Sequence, residues 1–292
     1  MRLSFSVTNY SWPGGPAALR GELPRLARAA DDGGFDTLWV PDHLLQADPH
    51  AAPHESEMYE AYTTLGFVAA LTERVRVGAM VSAVTFRPPA LLVKAVTTLD
   101  VLTGGRAWLG VGAGYHEAEA AALDLPLPPV KERFERLEET LRIAARMWAG
   151  DESPYEGSHY RLEHPVASPR PVRRPPILIG GTGERRTLRL VAEYGDACNV
   201  FDIPDGGGLV RRKLDVLARH CADVGRPYEE IEKTMGTRFE DGESADAFVR
   251  RCAAAAELGI DHMIVVTTGP WSAAKLAVLA AAIPALHDLN SS

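Results

Sequence analysis

Eight short apolar runs recur along the chain, and the segments between them have helical periodicity. The runs are RLSFSVT, DTLWVP, VRVGAMV, RAWLGVGAG, PPILIGG, DACNVF, EKTMGT and HMIVVTT. Their apolar residues fall on consecutive positions instead of alternating, which is typical of parallel strands covered on both faces. The pattern therefore predicts eight parallel strands that alternate with helices.

The segment KERFERLEETLRIAARMW shows the helical pattern most clearly. Its apolar residues recur every three or four positions, at Phe134, Leu137, Leu141, Ala144 and Trp148. Glu and Arg fill the opposite side, as expected for a helix that buries one face. We predict an amphipathic helix here.

Eight strand–helix units in 292 residues fit a (β/α)8 barrel, a TIM barrel, which typically has about 250 residues plus insertions. A doubly wound sheet is the alternative. The segment from Gly150 to Pro176 is rich in Pro and aromatic residues, and we interpret it as an insertion after the fourth unit. We expect one domain, residues 1–292, with an insertion at about residues 150–176.

Charge and composition narrow the class of protein. The net charge of −8 includes no basic block, which argues against nucleic acid or an anionic membrane as a partner. No run of roughly 18 apolar residues and no signal-peptide pattern is present, so we expect a cytoplasmic protein with a small-molecule substrate. The three cysteines, Cys198, Cys221 and Cys252, are far apart in sequence and are interpreted as structural thiols.

The fifth strand carries the clearest chemical signal. It runs into Gly180, Gly181, Thr182 and Gly183 and then directly into a helix. Glycines let the backbone approach an anion, and the free amides of a first helical turn favour negative charge. The loop is therefore a candidate phosphate site, although glycines can also serve only a tight turn and close packing.

The end of the fourth strand is also rich in glycine. Gly110, Gly112 and Gly114 are spaced G-x-G-x-G, which does not match the dinucleotide-binding fingerprint. We interpret the missing side chains as room for a flat ring, with Tyr115 lining the site.

The second strand ends at Asp42 and His43. In a barrel, the carboxyl ends of the strands form the working face, where an imidazole can donate, accept or hold a proton near neutral pH. The alternative is an aspartate that caps the next turn beside an exposed histidine. His50 and His54 lie nearby, but the prolines around them oppose a helix, so we expect no metal site.

Four stretches together closely resemble the bacterial luciferase-like oxidoreductases. They are GFDTLWVPDHL, RVRVGAMVSAVTFRPPALLVKAVTTLDVLTGGRAWLGVGAGYHEAE, FERLEETLRIAARMW and PPILIGGTGERRTLRLVAEYGDACN. The resemblance covers about residues 1–202 and is nearest to the branch that uses the deazaflavin coenzyme F-420. It implies a (β/α)8 barrel with an insertion after the fourth unit, and a homodimer.

The resemblance also implies roles for particular residues. Asp42 would contact the deazaflavin ring, and His43 would stand at the reacting centre. The third-strand end, Ala79, Met80 and Val81, would press on the ring through a cis peptide between Met80 and Val81.

Further cofactor contacts follow from the same resemblance. Ala113 and Gly114 would touch the ring, and Gly180 to Gly183 would hold the coenzyme phosphate. The deazaflavin-dependent sugar-phosphate dehydrogenases have a glutamate where Tyr115 stands and a tryptophan where Ala47 stands. Both are missing here, so we do not expect sugar-phosphate oxidation.

The expected substrate is a neutral organic molecule in a partly aromatic pocket. The candidate lining residues are Asn9, Tyr10, Trp12, His50, His54, Tyr59, Tyr115 and Phe201. The leading hypothesis is hydride transfer between coenzyme F-420 and this substrate. The alternatives are an FMN-dependent monooxygenase on the same scaffold and a family member that only binds a ligand.

Overall fold

Eight parallel strands close into a barrel in the computed structural model, which describes residues 1–289. The strands are β1 (Arg2–Ser6), β2 (Thr37–Val40), β3 (Arg76–Ala79), β4 (Ala107–Gly112), β5 (Ile177–Ile179), β6 (Ala197–Phe201), β7 (Glu232–Phe239) and β8 (His262–Thr267). Strand β1 pairs with both β2 and β8, and β3 pairs with β4, so no edge is left open. The predicted TIM barrel is confirmed, and the doubly wound alternative is wrong.

Nine α-helices are described within residues 1–289, and most of them connect successive strands. They are α1 (Pro16–Asp32), α2 (Ala61–Ala69), α3 (Pro89–Thr103), α4 (Glu117–Ala122), α5 (Val130–Ala149), α6 (Thr187–Tyr194), α7 (Gly208–Val224), α8 (Ala245–Glu257) and α9 (Ala273–Asp288). In this part of the chain, none is both long and apolar enough to cross a membrane.

The strands are buried on both faces, as their consecutive apolar residues predict. A small hydrophobic cluster is separate from the large core that the helices share with the strands. It includes Trp39, Trp108 and Leu178. The two indole rings lie 5.5 Å apart. A Cβ on Gly78 would lie only 2.7 Å from atoms of both tryptophans, so β3 must carry glycine at this position.

Helix α5 confirms the amphipathic prediction. Leu137, Leu141 and Ala144 are buried, and Trp148 donates its indole N–H to Thr97 Oγ1 of α3 at 2.9 Å. The helix ends at Gly150, whose φ of 76° lies in the left-handed region that favours glycine.

The segment between α5 and β5 leaves the barrel wall, as the composition predicts. It contains a two-stranded antiparallel hairpin, Tyr155–Glu156 with Arg161–Leu162. The Glu139 carboxylate on α5 accepts hydrogen bonds from the backbone of residues 158–160, which ties the hairpin to the helix. The single-domain extent stays a prediction, and its end at residue 292 lies outside the described residues.

The three cysteines are buried and carry free thiols. Burial raises the pKa of the Cys198 and Cys252 thiols to about 12. Because the thiolate is the reactive form, these sulfurs are inert near neutral pH.

Charged residues cluster at the amino-terminal end of the barrel, opposite the candidate working face. His262 is fully buried, and its Nδ1 lies 2.6 Å from Glu232 Oε1. Arg2 pairs with Glu232 at 2.7 Å, and Arg76 pairs with Asp36 at 2.6 Å. Burial opposes ionisation of both carboxyls, but His262 and the two arginines hold the pKa of Asp36 and of Glu232 below the ordinary value.

We expect Glu232→Gln to lower the free energy of unfolding by about 1–3 kcal/mol near neutral pH, because it removes a buried charged partner. A lowered carboxyl pKa stabilises the fold above the unfolded-state value, about 4, and this contribution is lost as pH falls. The difference between wild type and Glu232→Gln in urea unfolding should therefore shrink from about pH 6 to pH 3. A difference that stays constant would contradict this account. Glu156→Gln, at an exposed pair, is the control.

Candidate functional site

The third strand is interrupted at the working face by the cis peptide between Met80 and Val81 that the resemblance implies. Residues Ser82–Ala83 then resume pairing with β4. A Cβ on Gly180 would lie 2.5 Å from a Val81 methyl group, and one on Gly112 would lie 3.0 Å from it. The space beside these two glycines is thus taken up by Val81, so their spacing does not by itself indicate a flat ring.

Asp42 follows β2 and is almost completely buried. Arg87, after the third strand, donates to both carboxylate oxygens, at 2.5 and 3.0 Å. Arg87 also donates to Glu60 at 2.6 Å and stacks on the ring of Tyr62, with 4.9 Å from Cζ to the centroid. Asp42 therefore accepts a bidentate ion pair, which fixes the loop after β3 against the end of β2.

His43 is held by a carboxylate from a different strand–helix unit. Its Nδ1 lies 2.7 Å from Oε2 of Glu119, on the short helix α4. The other oxygen of Glu119 accepts from the backbone amides of Leu44 and Leu45, at 2.6 and 2.9 Å. Burial alone would raise the pKa of Glu119, but the hydrogen bonds from His43 and from these amides hold it below the usual value.

The second nitrogen of His43 faces an aromatic neighbour. Its Nε2 lies 3.5 Å from the hydroxyl of Tyr115, a residue that is 67% exposed. The rings of His43 and Tyr115 meet edge to face at a centroid distance of 5.7 Å. Because Nδ1 is occupied by Glu119, Nε2 is the nitrogen that remains available to a ligand.

The glycine loop after β5 has the features of an anion site. Gly181 has a φ of 101°, which strains any residue other than glycine. Within residues 1–289, the backbone amides of Gly181, Thr182 and Gly183 have no protein acceptor. Helix α6 begins at Thr187, after a turn at residues 184–186, and not directly after the loop as the sequence predicts. Free amides before a helix N-terminus suit a phosphate group.

The residues predicted to line the substrate pocket differ in their exposure. Asn9, Tyr10 and Trp12 are buried, Tyr59 is half-buried, and Phe201 is exposed at the end of β6. Trp12 donates its indole N–H to the Trp271 carbonyl at 2.7 Å. The structure thus places Trp12 in the aromatic core, whereas His50 and His54 lie on the exposed surface of the loop after β2.

Three buried hydroxyls at this end of the barrel have no hydrogen-bond partner within the described residues. They are Thr8 Oγ1 and Tyr10 OH after β1, and Thr85 Oγ1 after the third strand. Burial raises the pKa of Tyr10, so the phenol is neutral. A buried hydroxyl without a partner costs about 1–3 kcal/mol, so these groups are suited to hydrogen-bond a ligand.

Sequence reasoning missed Glu119 and Arg87. Glu119 stands in the stretch GYHEAEA, two residues after Glu117, which is exposed. The signal for Arg87 was the buried Asp42 itself, because a buried carboxylate requires a cation. Neither partner could be chosen from the sequence, since several arginines and glutamates follow the relevant strands.

Comparison with known proteins gives a family match. Residues 1–254 match the family model described as luciferase-like monooxygenase. The F-420-dependent glucose-6-phosphate dehydrogenase of Microbacterium testaceum is 32% identical over 215 residues, and that of Nakamurella multipartita is 36% identical over 219 residues. Each alignment covers 73% of this chain and 62% of the relative, so the chain spans about three fifths of their length.

Solved structures agree on the fold. An F-420-dependent secondary alcohol dehydrogenase in complex with an F-420–acetone adduct matches with a TM-score of 0.80 and 17% identity, over 98% of both chains. The F-420-dependent tetrahydromethanopterin reductase of Methanopyrus kandleri matches with a TM-score of 0.79 and 16% identity. This match covers 98% of this chain and 99% of the reductase chain. Monooxygenase RslO1 of Streptomyces bottropensis matches with a TM-score of 0.77 and 19% identity. This match covers 98% of this chain and 100% of the RslO1 chain.

Proposed function

Because the chain belongs to the luciferase-like monooxygenase family, we propose that it is an oxidoreductase that transfers a hydride between coenzyme F-420 and a small neutral organic substrate. The observation that carries the proposal is the pairing of a histidine and an anion loop at one end of the barrel. His43, whose Nε2 faces the Tyr115 hydroxyl at 3.5 Å, and the free amides of Gly181 to Gly183 both follow strand ends at this face. The curated relatives named above are F-420-dependent enzymes, which favours this coenzyme over FMN.

The residues present fit the coenzyme. Gly181, Thr182 and Gly183 offer unpaired amides for its phosphate, whereas the Gly180 amide donates to the Val111 carbonyl at 2.9 Å. The segment Ala79–Val81 with Ala113 and Gly114 would border its ring. When bound, the deazaflavin supplies the hydride chemistry, and the protein supplies position and electrostatics. His43 would hold the substrate's reacting group or exchange its proton.

The charges at the working face favour a neutral substrate over a sugar phosphate. Arg87 is paired with Asp42 and Glu60, and Arg238 is paired with Asp48 at 3.3 Å. These guanidinium groups already have carboxylate partners, so a substrate phosphate would have to compete for them.

The substrate-facing residues support the same conclusion. Tyr115 and Ala47 stand where sugar-phosphate dehydrogenases of the resembling branch carry Glu and Trp. Phe201, which is exposed at the end of β6, offers apolar contact.

Gly181→Ala should weaken binding of coenzyme F-420 by about 10–100-fold, because a Cβ at this φ shifts the loop and removes a charged hydrogen bond from an amide to the phosphate. The measurement is a calorimetric titration with the coenzyme. Gly34→Ala is the matched control: Gly34 also has a positive φ, 77°, but it precedes β2 at the opposite end of the barrel.

Both variants should lose about 1–2 kcal/mol of stability from the strained backbone. Only Gly181→Ala should lose affinity for the coenzyme. Equal affinity of the two variants would show that the loop does not hold the phosphate.

A further inference from the structure

We propose that Glu119 is a positioning residue that fixes the ring orientation and tautomer of His43, so that Nε2 presents its lone pair to the substrate. The orientation and tautomer of His43 are inferred from the contacts of Glu119 alone. Its catalytic consequence rests on the function proposed above.

The proton on His43 is placed by its neighbour. An ionised carboxylate can only accept hydrogen bonds, so an imidazole nitrogen 2.7 Å from Glu119 Oε2 must carry the hydrogen. In neutral His43 the hydrogen is then on Nδ1, and Nε2 is an acceptor. The lowered pKa of Glu119 keeps the carboxylate ionised near neutral pH.

The carboxylate itself cannot turn away from His43. Glu119 is 1% exposed, and its second oxygen is held by the amides of Leu44 and Leu45, the two residues that follow His43. The backbone amide of Glu119 donates to Nδ1 of His116 at 3.0 Å, which caps the start of α4. One side chain thus fastens helix α4 to the turn that carries His43.

This arrangement gives His43 a defined task. When a substrate hydroxyl is oxidised to a carbonyl, Nε2 would take the hydroxyl proton. A bound oxidised deazaflavin would supply the acceptor for the hydride that leaves the same carbon. The imidazolium that forms is stabilised by the buried Glu119 carboxylate, as an acid behind a catalytic histidine generally does. In the reverse direction the same nitrogen returns the proton.

Glu119→Gln tests the inference because it keeps the shape of the side chain and replaces one acceptor oxygen with an NH2 donor. The Gln oxygen can still accept from Leu44 and Leu45, but its NH2 group then faces Nδ1 of His43. That contact makes Nδ1 the acceptor and moves the hydrogen to Nε2. Glu117→Gln, on the same helix but exposed, is the matched control.

We expect two results for Glu119→Gln. Nitrogen-15 NMR of labelled protein, with the His43 signals assigned by their loss in His43→Ala, should show Nδ1–H in wild type and Glu117→Gln and Nε2–H in Glu119→Gln. Turnover should fall by about 10²–10⁴-fold, with KM and coenzyme affinity changed little. A merely structural role would not switch the tautomer.

The outcomes separate the inference from the proposed function. An Nε2–H tautomer in wild-type protein overturns the inference, and this reading does not depend on whether the variant folds. An unchanged tautomer in folded Glu119→Gln also overturns it. The predicted switch in a protein that does not bind coenzyme F-420 supports the inference and refutes the proposed function.

Discussion

Replacing His43 with alanine should lower turnover by about 10²–10⁴-fold while coenzyme affinity stays nearly unchanged. The reason is positional: His43 follows β2 at the working face, its Nδ1 is engaged by Glu119, and its Nε2 faces the hydroxyl of the exposed Tyr115 at 3.5 Å. The measurement is steady-state kinetics on a substrate found by screening neutral alcohols and carbonyl compounds, beside a coenzyme titration. His164→Ala is the control, since His164 is exposed in the inserted hairpin segment.

The pattern of the kinetic change assigns the role. A fall in kcat identifies proton transfer, whereas a change confined to KM assigns His43 to substrate binding alone. Full activity of His43→Ala would show that both roles are wrong. Tyr115, 3.5 Å from Nε2, and Tyr10 would then be the next candidates.

Replacing Arg87 with methionine should lower the free energy of unfolding by about 3–5 kcal/mol, because it leaves the Asp42 carboxylate buried and unpaired. Asp42 has a side-chain exposure of 0% and Arg87 one of 16%, so water cannot take over the lost contacts. The measurement is urea unfolding near neutral pH. Arg189→Ala, which breaks an exposed i,i+4 pair with Glu193, should change stability by no more than about 0.5 kcal/mol.

A double variant makes this prediction sharper. Asp42→Asn combined with Arg87→Met should be more stable than Arg87→Met alone, because no buried charge remains without a partner. A loss below about 1 kcal/mol in Arg87→Met would contradict the importance of the pair.

The fold could be predicted because its signal is local. Each of the eight apolar runs matches one barrel strand, since a strand buried on both faces has no polar positions to alternate. The run RAWLGVGAG contains β4, and PPILIGG contains β5. Helix α5 was equally clear, because its face toward the core repeats every turn.

The site could be predicted only in part, because its contacts join distant strand–helix units. The sequence pointed to Asp42 and His43, but their partners lie 45 and 76 residues away. Side-chain pairing between such loops depends on register and loop path, which no local pattern encodes.

Packing explains two further differences between the sequence predictions and the structure. Val81 takes up the space beside Gly112, where the glycine spacing predicts room for a ring, and it also packs beside Gly180 of the candidate phosphate loop. Trp12, predicted to line the pocket, is buried. Its indole N–H donates a hydrogen bond to the Trp271 carbonyl, which follows β8 in the chain. The family expectation from the sequence is confirmed, and the roles of individual site residues stay predictions.

The most direct test of the central claim is a side-by-side calorimetric titration of the wild-type protein with coenzyme F-420 and with FMN. We expect saturable binding of coenzyme F-420, and FMN binding weaker by at least about tenfold, a difference of about 1.4 kcal/mol. Tight binding of FMN without binding of coenzyme F-420, together with substrate-dependent oxygen consumption, would contradict it and identify an oxygen-using enzyme.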